Sequence, residues 1–465
     1  MTPRAFDIIL GGGNHAKKGN HMRLRKASAL LAACAVLVTA CGSDEDEAAD
    51  TTAAAVETTA AAADTTAPAA ADTTAPATGD GLAVVVSSDL PLQGASKDAS
   101  DDTNLAMALL LEQVGGKAGP HTVTLKEYDN STAAKGGWDD ATCAKNANDH
   151  VANAEEVAVM GTYNSGCAKI ELPVLNADPT GPMLMVSHAN TNPGLTKAWD
   201  PGEPEKFYPT GVRNYARVIA TDDLQGKADA EFAAEELGLK KCVVLNDAQT
   251  YGIGVASAFE DAAADVGIEV VATEAWDSKQ PNYTALFEGF VDLAPDCIFL
   301  GGINDNNGEQ LIRDKVAVFG PNDGDVKLIA PDGFTGYPTV QELAEAEGMY
   351  ISFAGLPASE LVKQGGAGAA FVEAFKTKYG HDPASAYSIY GAAALQFIME
   401  AIENSDGTRK GVTEAAFSGI TVSAEESIIG REFGVDANGD VTVRDMSIQL
   451  LTGGVETFLM PWPVD

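Results

Sequence analysis

The chain has 465 residues, 45% of them hydrophobic, enough for two domains with real cores. A formal net charge of −37 argues against nucleic-acid binding, which needs clustered Lys and Arg. Only six His occur, and neither HExxH nor paired CxxC is present, so no metal or cofactor site is expected.

Taken in chain order, residues 1–21 fit no targeting pattern. Lys18-Gly19-Asn20-His21-Met22 back-translates to a purine-rich ribosome-binding sequence ahead of a start codon, so translation is expected to begin at Met22. "GGGNHAKKG" fails the GxxxxGK[ST] phosphate-loop pattern. Residues 22–40 read as a signal peptide: a basic start, Arg23 to Lys26, then an apolar stretch from Ala27 to Val38, too short to span a bilayer. It ends in Val38-Thr39-Ala40-Cys41, which resembles the bacterial lipoprotein signal and makes Cys41 the expected lipid anchor. Residues 41–80 are Ala, Thr, Asp and Pro with almost nothing large, a composition that cannot bury apolar surface and is expected to act as a disordered tether. Four cysteines remain beyond it. An even number in an exported protein favours disulfides, and Cys242 and Cys297 open the similar runs "CVVLN" and "CIFLG". The expected pairs are Cys143–Cys167 and Cys242–Cys297, with four free buried thiols as the alternative.

From Leu82 onward, short β-rich runs alternate with amphipathic helical stretches. "LAVVVSS", "TVTLKEY", "VAVMG" and "MLMVS" are interleaved with helices near 99–114, 138–152 and 166–177. A second series, "KCVVLND", "IEVVATE", "DCIFLGG" and "VKLIAPDG", is interleaved with helices near 253–266 and 307–318 and one carrying Tyr283, Leu286 and Phe290. Continuous apolar strands alternating with helices predict parallel sheets covered on both faces. Two α/β units thus follow one another, 82–200 and 240–335. After them come "GMYISFAG", two long helices near 364–379 and 385–404, and a β-rich tail. In that tail Asp436-Ala437-Asn438-Gly439-Asp440 superficially suggests a calcium loop, but position 12 would be Ser447 rather than Glu, so a hairpin turn at Asn438-Gly439 between the flanking β-rich runs is expected.

Ligands of open parallel sheets bind beyond the carboxyl ends of the strands. The strand ends here are rich in hydroxyls and amides in the first unit, around Ser165 and from Ser187 to Thr191. The second unit contributes Tyr251, Asn304 and Asp332. That distribution suits a zwitterion. Ser165 at a helix start and Thr191 would hold a carboxylate with backbone amides, and Asp332 an ammonium group. Capping and turn chemistry is the plainer reading of Ser165 and Thr191, an Asp-Gly turn that of Asp332, and packing that of Tyr251. Ser187 and His188 are adjacent on an extended run, so their side chains diverge and do not form a nucleophile–base pair; no GxSxG is present.

The ordered stretches "DLPLQG", "EYDNSTAAKG", "GTYNSG", "MVSHANTNPGLT", "NDAQTYGIG", "PNYTAL", "LGGINDNNG" and "APDGFTG" resemble the type I periplasmic binding proteins, in particular the leucine/isoleucine/valine-binding group that serves ABC importers. The resemblance implies an α/β fold of two doubly wound parallel-sheet lobes joined by a three-segment hinge. Lobe I would be 82–217 and 354–434, and lobe II 218–353 and 435–465. By motif, Ser165, Ala189 and Thr191 fall at positions that bind the α-carboxylate, Asp332 at the acid that takes the α-ammonium, and Tyr251 at a cleft tyrosine. The family also often carries a disulfide near the 143–167 pair. Two positions depart from the pattern: Gln93-Gly94-Ala95-Ser96 stands where an aromatic is common, and Ile303-Asn304 where a tyrosine pair is common. The implied function is capture of an amino acid, of branched-chain type by family, by a non-enzymatic lipoprotein on the outer face of the bacterial cytoplasmic membrane. Its partners would be an ABC permease and its ATPases; a ligand sensor reporting to a receptor would use the same fold.

Overall fold

The computed structural model describes residues 81–464. The expected start at Met22, the signal peptide, Cys41 and the tether lie outside the described residues.

Two sheets organise the chain. The first runs, in spatial order, Lys117–Ala118, His121–Asp129, Ala83–Leu90, Glu156–Gly161, Leu184–Ser187 and Tyr215–Arg217. Every pairing in it is parallel except the short hairpin at one edge. The second runs Glu269–Ala275, Lys241–Asn246, Cys297–Gly301, Lys327–Ala330, Tyr350–Phe353, Met446–Thr452 and Val455–Trp462. Its first five strands are parallel and its last two antiparallel. Glu156–Gly161 and Cys297–Gly301 are buried along their whole length, as strands covered on both faces must be. Helices supply that cover. Asp139 caps Asp140–Ala152 by accepting the Thr142 N–H at 3.0 Å, and Gly267, at φ 81°, ends Thr250–Val266 in the left-handed conformation. The long helix Ala386–Glu403 is buried on nearly every side, packing on Lys97–Gln113 and on the first sheet. The result is an α/β fold of two doubly wound, mainly parallel lobes. The chain passes between the sheets three times: after Arg217, after Phe353, and between Gly434 and Met446.

Several expectations need adjustment. The helix carrying Tyr283, Leu286 and Phe290 is reduced to Thr284–Glu288 plus a 3-10 turn, because Asp314 takes the Tyr283 N–H and the chain turns at Gly289. Helices Ala358–Gln364 and Arg409–Ala416 were not foreseen. The Asp436–Asp440 segment is a turn, closed by the Val435–Val441 bridge and by Asp436 Oδ1 accepting three successive N–H groups. Met446–Thr452, however, pairs with the chain's last strand rather than with the run before that turn. Disulfides join Cys143 to Cys167, tying one helix to the start of the next, and Cys242 to Cys297, which face each other on neighbouring strands.

Candidate functional site

Strands of both sheets deliver their carboxyl ends to one narrow cavity of about 20 Å³. The first lobe contributes Tyr163, Asn164, Ser165, Ala189 and Tyr387; the second contributes Tyr251, Ile303, Asp332 and Gly333. That is room for little more than one water, far below the roughly 300–1,000 Å³ of ligand pockets, so the lobes must part to admit a ligand.

The first wall is built by two loops stitched together. Ser187 Oγ donates to the Thr162 carbonyl at 2.8 Å and accepts the N–H groups of Ala189 and Asn190. The serine ending that strand therefore shapes the loop, and its neighbour His188 is no base. Burial pushes His188 down to about 3, and its ring lies edge-on to Tyr163 and Tyr387. Arg217, fully buried, fixes the far side of the loop. It donates to the carbonyls of Asn190 and Asn192 at 2.8 and 3.0 Å and to Thr196 Oγ1, and it pairs with Asp440 at 2.9 Å. Ser165 opens the helix Ser165–Asn176. Its Oγ accepts the Asn192 N–H at 3.3 Å, leaving its own O–H to donate into the cavity. A helix start with a free hydroxyl favours an anion there.

The second wall centres on Asp332, 1% exposed. The Tyr251 hydroxyl donates to one of its carboxylate oxygens and the Tyr387 hydroxyl to the other, each at 2.5 Å. Burial raises the acid above the usual carboxylate range even though both tyrosines favour the charged form. Gly333 admits this arrangement, since a Cβ there would fall 2.2 Å from the Gly302 carbonyl oxygen and 2.9 Å from the Tyr251 ring.

The structure thus brings Ser165, Ala189, Tyr251 and Asp332 around one space. Thr191 and Asn304 are buried but do not line it. Thr191 gives its carbonyl to the Asp222 N–H, and its hydroxyl lies on the Asp222 side. Of the two hydroxyls expected to share one carboxylate, Ser165 lines the cavity and Thr191 stands behind its wall. Asn304 sits behind Ile303, in a short 3-10 turn packed near Gly308. Tyr387 was missed because it sits on a helix from the third part of the chain, not at a strand end. The lobes also meet directly. The Ser96 hydroxyl reaches both Asp305 carboxylate oxygens at 2.9 Å, and Tyr337 donates to the same group at 2.7 Å.

Among the described residues, Asp89, His150 and Glu171 form a buried cluster of metal-ligand types. His150 has neither nitrogen free: Nε2 meets Asp89 at 3.0 Å and Nδ1 meets Glu156 at 2.5 Å. Burial disfavours its charge, yet the two carboxylates more than offset that, and its pKa is pushed up to about 9. A protonated imidazole bridging two acids offers no lone pair to a metal.

The family model described as periplasmic binding protein matches residues 84–454. The leucine-, isoleucine-, valine-, threonine- and alanine-binding protein of Pseudomonas aeruginosa is 24% identical over 364 residues, covering 77% of this chain and 87% of the relative. The Leu/Ile/Val/Thr-binding protein of Salmonella typhimurium is 25% identical, over 66% of this chain and 80% of its own length. Among solved structures, the leucine-binding protein LivK of Thermotoga maritima has a TM-score of 0.68 at 20% identity, covering 82% of this chain and 98% of that one. A Rhodopseudomonas palustris solute-binding protein in complex with benzoate has a TM-score of 0.67 at 18% identity, covering 82% and 97%.

Proposed function

We propose, from the premise that this chain belongs to the periplasmic binding protein family, that it captures an amino acid between its lobes and delivers it to an ABC importer. In this reading the protein is held at the outer face of the bacterial cytoplasmic membrane by a lipid on Cys41. The observation that carries the ligand assignment is the opposition of two walls: Ser165 at a helix start on one, and Asp332, buried among neutral donors with no cation beside it, on the other. An α-carboxylate suits the first and an α-ammonium the second. Ala189 and Tyr251 line the same space and complete the head-group site. The names of the relatives put leucine, isoleucine and valine first among side chains. The benzoate complex of a similar fold is an acid without an ammonium group, and Asp332 argues against that class here.

Closure follows from contacts on both sides. A ligand touching both walls stabilises the closed arrangement over the open one, and the three chain crossings act as the hinge. The lobes would be 82–217 with 354–434, and 218–353 with 435–465. A thermal-shift screen of the twenty amino acids tests the reading. A ligand at a hundredfold excess over Kd should add about 2.7 kcal/mol of stability and a clear rise in Tm. A flat response to all twenty, with shifts only from aromatic acids or sugars, would reject it.

A further inference from the structure

We propose that the amino acid taken by this cavity carries a neutral hydroxyl or amide on a short side chain, read by Tyr163 and Asn164, rather than a branched aliphatic group. The inference rests on the amino-acid reading above and narrows it.

Tyr163 and Asn164 line the cavity and are only 6% and 8% exposed. Among the described residues, neither the Tyr163 hydroxyl nor Asn164 Oδ1 has a hydrogen-bond partner. The other tyrosine hydroxyls of the wall, those of Tyr251 and Tyr387, are engaged with Asp332. A buried polar atom left unpaired costs about 1–3 kcal/mol, and two neighbouring ones in one wall call for a shared partner. Burial, then the nearby carboxyls of Asp305 and Asp332, hold the Tyr163 proton on, so this group is a donor. Asn164 Oδ1 is an acceptor. A hydroxyl or primary amide offers a partner to either kind of atom, whereas a methyl group satisfies neither.

The surroundings narrow the class further. Ile303 is the only large aliphatic side chain lining the cavity; Ala189 and Gly333 add little apolar surface. A second carboxylate on the ligand would meet Asp305 and Asp332. A basic side chain would find Asp305 already taken, by the Ser96 N–H at 3.2 Å, the Ser96 hydroxyl and the Tyr337 hydroxyl. That same cluster ties the lobes together beside the cavity, so it limits how far a side chain can extend once the lobes close on a ligand. Sites that hydrogen-bond a ligand group reject analogues lacking it far more strongly than apolar pockets reject an added hydroxyl.

Isosteric pairs make the test direct. Calorimetric titration of the full chain with threonine against valine, and asparagine against leucine, should show the polar member of at least one pair binding tenfold or more tightly. Tyr163→Phe should shrink that ratio below about threefold, with the unliganded Tm near wild type showing that the fold is kept. Valine and leucine binding as tightly as their polar isosteres overturns the proposal and leaves the amino-acid reading standing. Tyr163→Phe retaining the full ratio overturns the assignment to Tyr163. Silence toward all twenty amino acids overturns both readings together.

Discussion

At Asp332 the proposed ligand site would couple binding to pH. Its pKa is raised by burial, so without ligand it holds a proton above the ordinary carboxylate value of about 4. An ammonium group stabilises the ionised form, and binding then releases that proton. Affinity should therefore weaken as pH falls through the raised value and level off above it. Titrations from about pH 4 to pH 8 read this directly, and Asp332→Asn should bind weakly with no such slope. His150 gives the opposite sign in the protein's own stability. Its pKa of about 9 exceeds the ordinary value of about 6.5, so the Asp89–His150–Glu156 bridge stabilises the fold fully below pH 6.5 and loses that contribution as pH rises through 9. The rise corresponds to about 3 kcal/mol. Urea melts of His150→Gln should show a deficit of that order at pH 6, narrowing above pH 9.

At the scale of elements, the loop 187–196 depends on distant chain. Asp440, in the turn at 436–440, reaches Arg217, which holds the Asn190 and Asn192 carbonyls behind the cavity wall. Gly439 lets that turn approach: its φ is +100°, and a Cβ there would sit 2.0 Å from the Tyr215 carbonyl oxygen. Asp440→Ala leaves a buried guanidinium without its charge partner. It should cost about 3–5 kcal/mol and speed amide exchange across 190–196, measured by urea melts and hydrogen exchange. The sequence showed the turn through Asn438-Gly439 but not its partner, since nothing local marks a pairing 223 positions apart. The strand ends were legible for a local reason: apolar runs stop at Gly161, Ser187 and Ala330 in clusters of polar residues. Thr191 and Asn304 satisfied that same rule and yet stand behind the wall, because pattern places a residue at a strand end without saying which way its side chain turns. Tyr387 broke the rule, being a helix residue aimed at Asp332 from another part of the chain.

For the whole molecule, alternation of apolar strands and helices was enough to give two α/β lobes, because parallel sheets need cover on both faces. The final hairpin, Met446–Thr452 with Val455–Trp462, was less visible, since "QLLTGGVETF" reads equally as a loop beside a hydrophobic run. What no local pattern carried was the contact of the lobes themselves, where Ser96 meets Asp305 and Tyr337, each more than 200 residues further along the chain. Such a contact favours a closed form even before the ligand adds its own, and part of the binding energy is then already organised in the fold. The central claim is recognition of opposite charges by opposite lobes. It is tested most directly by calorimetry of the amino acid giving the largest thermal shift beside the same molecule lacking its ammonium group. Loss of that group should weaken binding by about 100-fold or more, as for a buried charge pair missing one partner. Equal affinity of the deaminated acid would contradict the account.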